Sequence, residues 1–188
     1  MNNVLENKTA VVTGGSRGIG KSIVESFSAE GAQGLTCARN SENIDLPAGV
    51  HWLQVDVGQS TEIDALAEYA LDVLGRVDIL VNNAGFVRHT TAFDCTEQEW
   101  DLMVDINLKG VFFCAQSVLS HMRDRRAGAI VNLSSLAAKT GGVAAAPPYG
   151  AAKAGVSALT VHLAKVMAPF GVRVNALAPG IIDTDMVR

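Results

Sequence analysis

Short runs of aliphatic and β-branched residues alternate along this chain with longer stretches in which apolar positions recur every three or four residues. The short runs fall at 9–13, 34–38, 52–55, 79–82, 129–133 and 172–177 and predict six strands. The longer stretches predict helices over 19–30, 61–74, 97–122, where a break is allowed, and 149–167. Strand followed by helix, repeated, is the pattern of an α/β fold with a parallel sheet covered on both faces. No repeat, low-complexity tract or linker interrupts it, so 1–188 reads as one domain. The segment Gly141 to Pro148 reads as a flexible loop inside that domain. The last helix is apolar nearly all round, through Ala154, Val156, Ala158, Leu159, Val161, Leu163 and Val166. Either the sheet and neighbouring helices cover such a helix, or a second subunit does.

Composition narrows the classes of partner. With 48% hydrophobic residues, 18% charged residues and a net charge of −4, the chain can bury a sizeable core and offers no basic field to nucleic acid or an anionic membrane. The first eight residues are too polar for a signal peptide, and no apolar run reads as a membrane span. A cytoplasmic protein is expected. Cys37, Cys95 and Cys114 are odd in number and form no C-x-x-C pair, so they read as reduced core thiols and no metal site is assigned.

Tyr149 and Lys153 carry the first chemical signal. Four residues apart on a helix, they share a face, and a nearby ammonium favours the phenolate form of a tyrosine. Pro147 and Pro148 suit a first helical turn, which puts Tyr149 near the positive end of the helix dipole. With two tyrosines and six lysines in the chain the spacing alone is weak. Ser135 upstream, and the turn Thr13-Gly14-Gly15-Ser16-Arg17-Gly18-Ile19-Gly20 between the first strand and the first helix, strengthen it. Glycines there let a pyrophosphate approach the backbone, and the helix start offers N–H groups to an anion. Gly15 to Ser22 also spells the G-x-x-x-x-G-K-[ST] phosphate loop of ATPases and GTPases, with Lys21 as its cation. That alternative leaves Ser135, Tyr149 and Lys153 unexplained.

These motifs resemble the short-chain dehydrogenase/reductase family, whose glycine turn is T-G-x-x-x-G-x-G. Thr13 to Gly20 matches it, followed in family order by Asn82-Asn83-Ala84-Gly85, Asn107 in Asn107-Leu108-Lys109-Gly110, Ser135, Tyr149-x-x-x-Lys153 and Pro179-Gly180. The similarity runs from about Asn7 to Met186 and is nearest to 3-oxoacyl carrier-protein reductases, through the stretch from Asn175 to Met186. It implies a Rossmann-type doubly wound sheet and hydride transfer between a nicotinamide cofactor and a carbonyl or secondary alcohol. Tyr149 would exchange the proton, Ser135 would hold the carbonyl oxygen, and Lys153 would bond the nicotinamide ribose while tuning Tyr149. Asn107 would anchor a water linking Lys153 to solvent. Taken singly, Ser135 also reads as a turn-capping serine and Asn107 as a mid-helix asparagine bonding backbone; Ser134 is the alternative serine.

The cofactor-binding set implied is Gly14, Ser16, Arg17, Gly18, Ile19, Gly20, Arg39, Asp56, Val57, Asn83, Ala84, Gly85, Tyr149, Lys153, Pro179, Gly180, Ile182 and Thr184. Ala38 stands where NAD enzymes place a ribose-binding carboxylate, with Arg39 next to it and Arg17 in the turn. Two guanidinium groups there favour NADP(H) over NAD(H). The competing reading is two solvated surface arginines.

Arg123, Arg125 and Arg126 can face an acidic carrier protein or simply complement a helix C-terminus, and the second reading is preferred. The expected partners are a small carbonyl or alcohol substrate and further copies of the chain. Family members continue past the position of Arg188 through a substrate-covering helical segment and a seventh strand. A domain truncated at its C-terminus is therefore expected, with the sixth strand at a sheet edge; a catalytically weak nucleotide-binding fragment is the alternative function.

Overall fold

The computed structural model describes residues 3–40, 45–142 and 145–184. Val143 and Ala144 of the expected loop, and Asp185 and Met186 of the last motif, lie outside the described residues. Strands β1 (Thr9–Thr13), β2 (Gln33–Ala38), β3 (Val50–Gln54), β4 (Ile79–Asn82), β5 (Gly128–Leu133) and β6 (Val172–Leu177) form one sheet in the order β3-β2-β1-β4-β5-β6. Every neighbouring pair is parallel. The chain builds outward from β1 to β3, crosses to β4, and builds outward again to β6 at the other edge. This is the doubly wound α/β sheet of the Rossmann type, with its order reversing between β1 and β4.

The helices are α1 (Gly18–Ala29), α2 (Ser60–Leu74), α3 (Glu97–Val104), α4 (Gly110–Arg125), α5 (Ala137–Thr140) and α6 (Pro147–Met167). On one face of the sheet, Val11, Leu35, Leu80, Ile130 and Val172 pack with Ile63 and Leu66 of α2, Cys114, Val118 and Met122 of α4, and Leu163 and Met167 of α6. Each such side chain contributes about 1.5–3 kcal/mol by leaving water. The opposite face is served by α1, whose Val24, with Ile23 and Phe27, meets Val12, Val81 and Leu133. Cover is therefore uneven, because Ile79 and Val131 on that second face are only partly buried.

Several expectations need adjusting. The predicted helix over 97–122 is not broken but changes pitch: Asp105–Lys109 is a π-helical turn joining α3 to α4. By length, and by the apolar character of an 18-residue window within it, the run Glu97–Arg125 could cross a membrane, where the sequence reading saw no such run. Its apolar residues have another use here, since Met103, Ile106, Val111, Cys114, Val118 and Met122 are buried against the protein. Cys95 is half-buried in a loop rather than in the core, whereas Cys37 and Cys114 are buried as expected. Helix α6 takes up Pro147 and Pro148 in its first turn, as predicted, and so begins two residues before Tyr149. It is covered on one side only: Val156, Leu163 and Met167 point inward, while Val161 is 55% exposed.

At the opposite end of the sheet from the glycine turn, Asp78 ties three elements together. Its carboxylate accepts from the Thr9 N–H at 3.1 Å, from Arg76 Nε at 2.9 Å and from Arg125 Nη2 at 2.6 Å. Arg125 also donates to Val77 O at 3.2 Å, and the Val77 N–H donates to His121 Nε2 at 3.3 Å. The C-terminal turn of α4 is thereby fastened to the start of β4, and the basic cluster there is partly spent inside the molecule. Burial alone would raise the Asp78 pKa, but the bonds from Arg125, Arg76 and Thr9, with the charge of Arg76, outweigh it and hold the pKa at about 2.

A carboxylate whose folded pKa is depressed stabilises the fold above its unfolded pKa and loses that contribution as pH falls through the folded one. We therefore expect Asp78→Asn to lower the unfolding free energy by about 2–3 kcal/mol at pH 7. In urea titrations the difference from the parent should shrink by about half at pH 3. A difference that stays constant with pH would assign the effect to packing instead.

Candidate active site

β1 and β4 part at their C-terminal ends, and the hydrogen bonds there fix the crevice between them. Thr13 Oγ1 accepts from the N–H groups of Asn83 (3.1 Å) and Ala84 (3.0 Å), and Asn83 Nδ2 donates to Thr13 O and Gly14 O, both at 3.0 Å. Gly14 turns with φ +71°, and a Cβ on it would stand 2.8 Å from Ala84 Cα. No other residue type fits that turn without moving the second loop. The chain then enters α1 through Arg17, an N-cap in extended conformation with no side-chain cap bond. Among the described residues no side chain accepts from the first-turn N–H groups of α1 at the crevice, which suits an anion.

The crevice opens into a cleft of about 620 Å³. The whole expected cofactor-binding set lines it: Gly14, Ser16, Arg17, Gly18, Ile19, Gly20, Arg39, Asp56, Val57, Asn83, Ala84, Gly85, Tyr149, Lys153, Pro179, Gly180, Ile182 and Thr184. Ser135 lines it too. Thr184 Cγ2 would be 3.4 Å from a Cβ on Gly18, which places the 179–184 segment across the glycine turn. The size of the cleft, the crevice at the point where strand order reverses and the uncapped helix start fit a dinucleotide. Lys21, the cation of the phosphate-loop spelling, is not among the lining residues and reaches Glu25 at 3.8 Å on the exposed side of α1.

The reactive side chains come from β5 and α6. Ser134 and Ser135 follow directly on β5 and both line the cleft, but their hydroxyls have different partners. Ser134 is buried, donates to Lys153 O at 2.9 Å and meets Ser157 Oγ at 2.8 Å. Ser135 Oγ accepts from the Ala137 N–H at 3.1 Å, at the start of the short helix α5 that the sequence did not predict. Its own proton remains available to a ligand in the cleft. One turn after Tyr149 on α6, Lys153 is 3% exposed, lies 5.8 Å from the centre of the Tyr149 ring and donates from Nζ to Leu133 O at 2.7 Å. Burial pushes its pKa down to about 8, so the ammonium is held at modest cost near neutral pH and keeps two protons for other acceptors.

Asn107 does not line the cleft. It lies fully buried in the π-helical turn, where Nδ2 donates to Phe86 O (2.7 Å) and Met103 O (2.9 Å) and Oδ1 accepts from the Phe86 N–H (3.1 Å). Its side chain is occupied in holding the backbone of Phe86. The spacing that identified Asn107 says nothing of this use, which depends on a residue 21 positions away.

At the far end of the cleft stand Ala38, Arg39 and Asn40 from the exit of β2, and Asp56 and Val57 beyond β3. Asp56 Oδ1 accepts from the Gly58 N–H at 2.9 Å, which shapes that turn. Sequence reasoning missed Phe86, Val87 and Ile106, which supply apolar wall. Phe86 follows directly on Gly85, so its nearness was legible, but its orientation was not.

The sequence matches the family described as short chain dehydrogenase over residues 8–188. A 3-oxoacyl-[acyl-carrier-protein] reductase of Chlamydia pneumoniae is 40% identical over 99% of this chain and 78% of its own length. A (2S)-[(R)-hydroxy(phenyl)methyl]succinyl-CoA dehydrogenase subunit of Thauera aromatica is 36% identical over 97% of this chain and 76% of that protein. Among solved structures, a Sinorhizobium meliloti 1021 protein provisionally described as a short-chain alcohol dehydrogenase superposes with a TM-score of 0.92 at 39% identity, covering 100% of this chain and 77% of the other. A glycine-lined crevice between β1 and β4, a buried lysine one turn after a tyrosine, and these matches along nearly the whole length agree: the chain belongs to the short-chain dehydrogenase family of nicotinamide-dependent oxidoreductases.

Proposed function

We propose that this chain acts as an NADP(H)-dependent oxidoreductase on a small-molecule ketone or secondary alcohol. The observation that carries the proposal is a single cleft with two chemically different ends: Ser135, Tyr149 and Lys153 at one, Arg17 and Arg39 at the other. A bound nicotinamide supplies or accepts the hydride. Tyr149 donates a proton to the carbonyl oxygen during reduction and removes one from the alcohol during oxidation. Ser135 donates a hydrogen bond to the same oxygen as charge develops on it. Lys153, anchored on Leu133 O, directs its remaining protons and its charge toward Tyr149 and the cofactor ribose. Asn107 supports the site from behind by fixing the backbone of Phe86. The substrates named for the relatives, a 3-oxoacyl thioester and a hydroxylated succinyl-CoA, are a ketone and a secondary alcohol, in keeping with this class. The cytoplasmic, membrane-free setting read from composition belongs to the same proposal.

A homo-oligomer is part of the reading. The outer face of α6 shows Ala151, Ala154, Ala158 and Val161 as an exposed apolar stripe, with Val166 beside it, and Trp100 of α3 is 45% exposed. A stripe of small side chains lets a second helix approach closely, and an exposed apolar face of this kind marks an association surface. We expect Val161→Lys to shift the protein to smaller species in sedimentation equilibrium at micromolar concentration. A monomeric parent would overturn the assignment of this face.

Two further outcomes test the chemistry. Arg39→Ala should weaken NADPH by about ten-fold or more, the loss of a charged contact to phosphate, while changing NADH little; equal affinities of the parent for both cofactors would count against the NADP assignment. Tyr149→Phe should abolish turnover of a carbonyl panel yet retain NADPH binding in a fluorescence titration, because only the exchangeable proton is removed. Undiminished turnover by that variant would place the proton donor elsewhere.

A further inference from the structure

Two guanidinium groups converge on one ring at the edge of the cleft. Arg39 Cζ lies 5.5 Å from the centre of the Phe86 ring and Arg88 Cζ lies 5.8 Å from it, both within cation–π range. The ring is held from its own backbone, since Asn107 bonds both the N–H and the carbonyl of Phe86. The backbone of Arg88 is fixed as well, its carbonyl accepting from the Ala146 N–H ahead of α6. The Arg39 side chain, exposed like that of Arg88, stands just past the end of β2, and a free arginine loses rotamer freedom when a ligand immobilises it. A ring already in contact with the guanidinium takes up part of that cost before the ligand arrives.

We propose that Phe86 is a positioning residue for 2′-phosphate recognition: its ring holds the Arg39 guanidinium at the cleft edge, and so sets how strongly the protein prefers a 2′-phosphorylated adenosine to an unphosphorylated one. The inference rests on the assignment of Arg39 to the cofactor's 2′-phosphate. It assigns Phe86 a role through its aromatic quadrupole, distinct from the apolar packing that any large side chain would give. The effect is on preference, because Phe86 acts through Arg39 and not on the adenosine shared by both ligands.

The test uses the whole chain and two small probes, 2′,5′-ADP and 5′-AMP, with affinities read by calorimetry, so that no turnover is involved. The parent should prefer 2′,5′-ADP, and Arg39→Ala should remove most of that preference. Phe86→Leu, which keeps bulk without an aromatic ring, should reduce the preference about two- to five-fold, and Phe86→Tyr should restore it. In an Arg39→Ala background, Phe86→Leu should change the preference no further. If Arg39→Ala lowers the preference but Phe86→Leu leaves it at the parental value, the role of Phe86 is overturned while the NADP assignment stands. If Phe86→Leu weakens both probes equally, with or without Arg39, the ring is only packing and the proposal fails. A parent without preference, or one insensitive to Arg39→Ala, would remove the NADP assignment and this inference with it.

Discussion

The hydrogen bonds joining Thr13 to Asn83 and Ala84 decide where the two halves of the sheet separate. Parallel strands in this order must diverge somewhere, because β2 follows β1 on one side and β5 follows β4 on the other. Left alone, the two exits would have unsatisfied backbone groups at a crevice. Thr13 Oγ1 accepts two N–H groups and Asn83 returns two bonds to the Thr13 and Gly14 carbonyls, so the crevice is open yet its rims are fixed to each other. Gly14 fits closely against Ala84, and the start of α1 is aimed by the same contacts. The phosphate end of the cleft is therefore set by backbone geometry.

Helix α6 sets the other end, and it does so through buried polar groups. Asn82 and Asn132 are register partners on β4 and β5, and Asn82 Nδ2 donates to Asn132 Oδ1 at 2.9 Å. Asn132 Nδ2 passes the chain to Thr160 Oγ1 at 2.9 Å, which donates to Val156 O at 2.7 Å. Ser134 makes a second link to the same helix at Lys153 O. Apolar contacts would let α6 slide along the sheet at little cost, whereas directional bonds between buried groups penalise any other register. Tyr149 and Lys153 line the same cleft as Ser135, and residues one to two turns beyond Lys153 on α6 are tied to β5.

How much of this could be read beforehand follows from the range of the interactions. The six strands and four long helices were legible because burial on both faces of a parallel sheet leaves uninterrupted apolar runs, and because Thr13 to Gly20 and Tyr149 to Lys153 are local in sequence. The residues that the resemblance assigned to the cofactor line one cleft. What was not legible depends on distant partners. The bonds from the Asn107 side chain to the Phe86 backbone could not be read from its motif; Ser134 and Ser135 look alike in sequence and differ in which partners the turn after β5 gives their hydroxyls. The cluster on Asp78 joins residues nearly 70 positions apart, and Arg125 looked like a helix-end charge rather than one of its ligands. The short helix α5 was hidden because four residues carry no periodicity.

The π-helical turn at Asp105–Lys109 changes the phase of one long helix. Buried positions run Met103, Asn107, Val111, Ala115 and Ile106, Gly110, Cys114, Val118, Met122, in steps of four. On a regular helix each such step drifts the stripe by about 40°, so that its last members would face well away from its first. One extra residue in a turn takes back about 100° of that drift. Met103 and Met122 can then both be buried at opposite ends of the same rod. Removing a single residue between positions 105 and 109 would leave composition and length almost unchanged but rotate α3 against α4, carrying the Asn107 amide off the Phe86 backbone. In this part of the chain the count of residues, more than their identity, stores the alignment of the cleft wall.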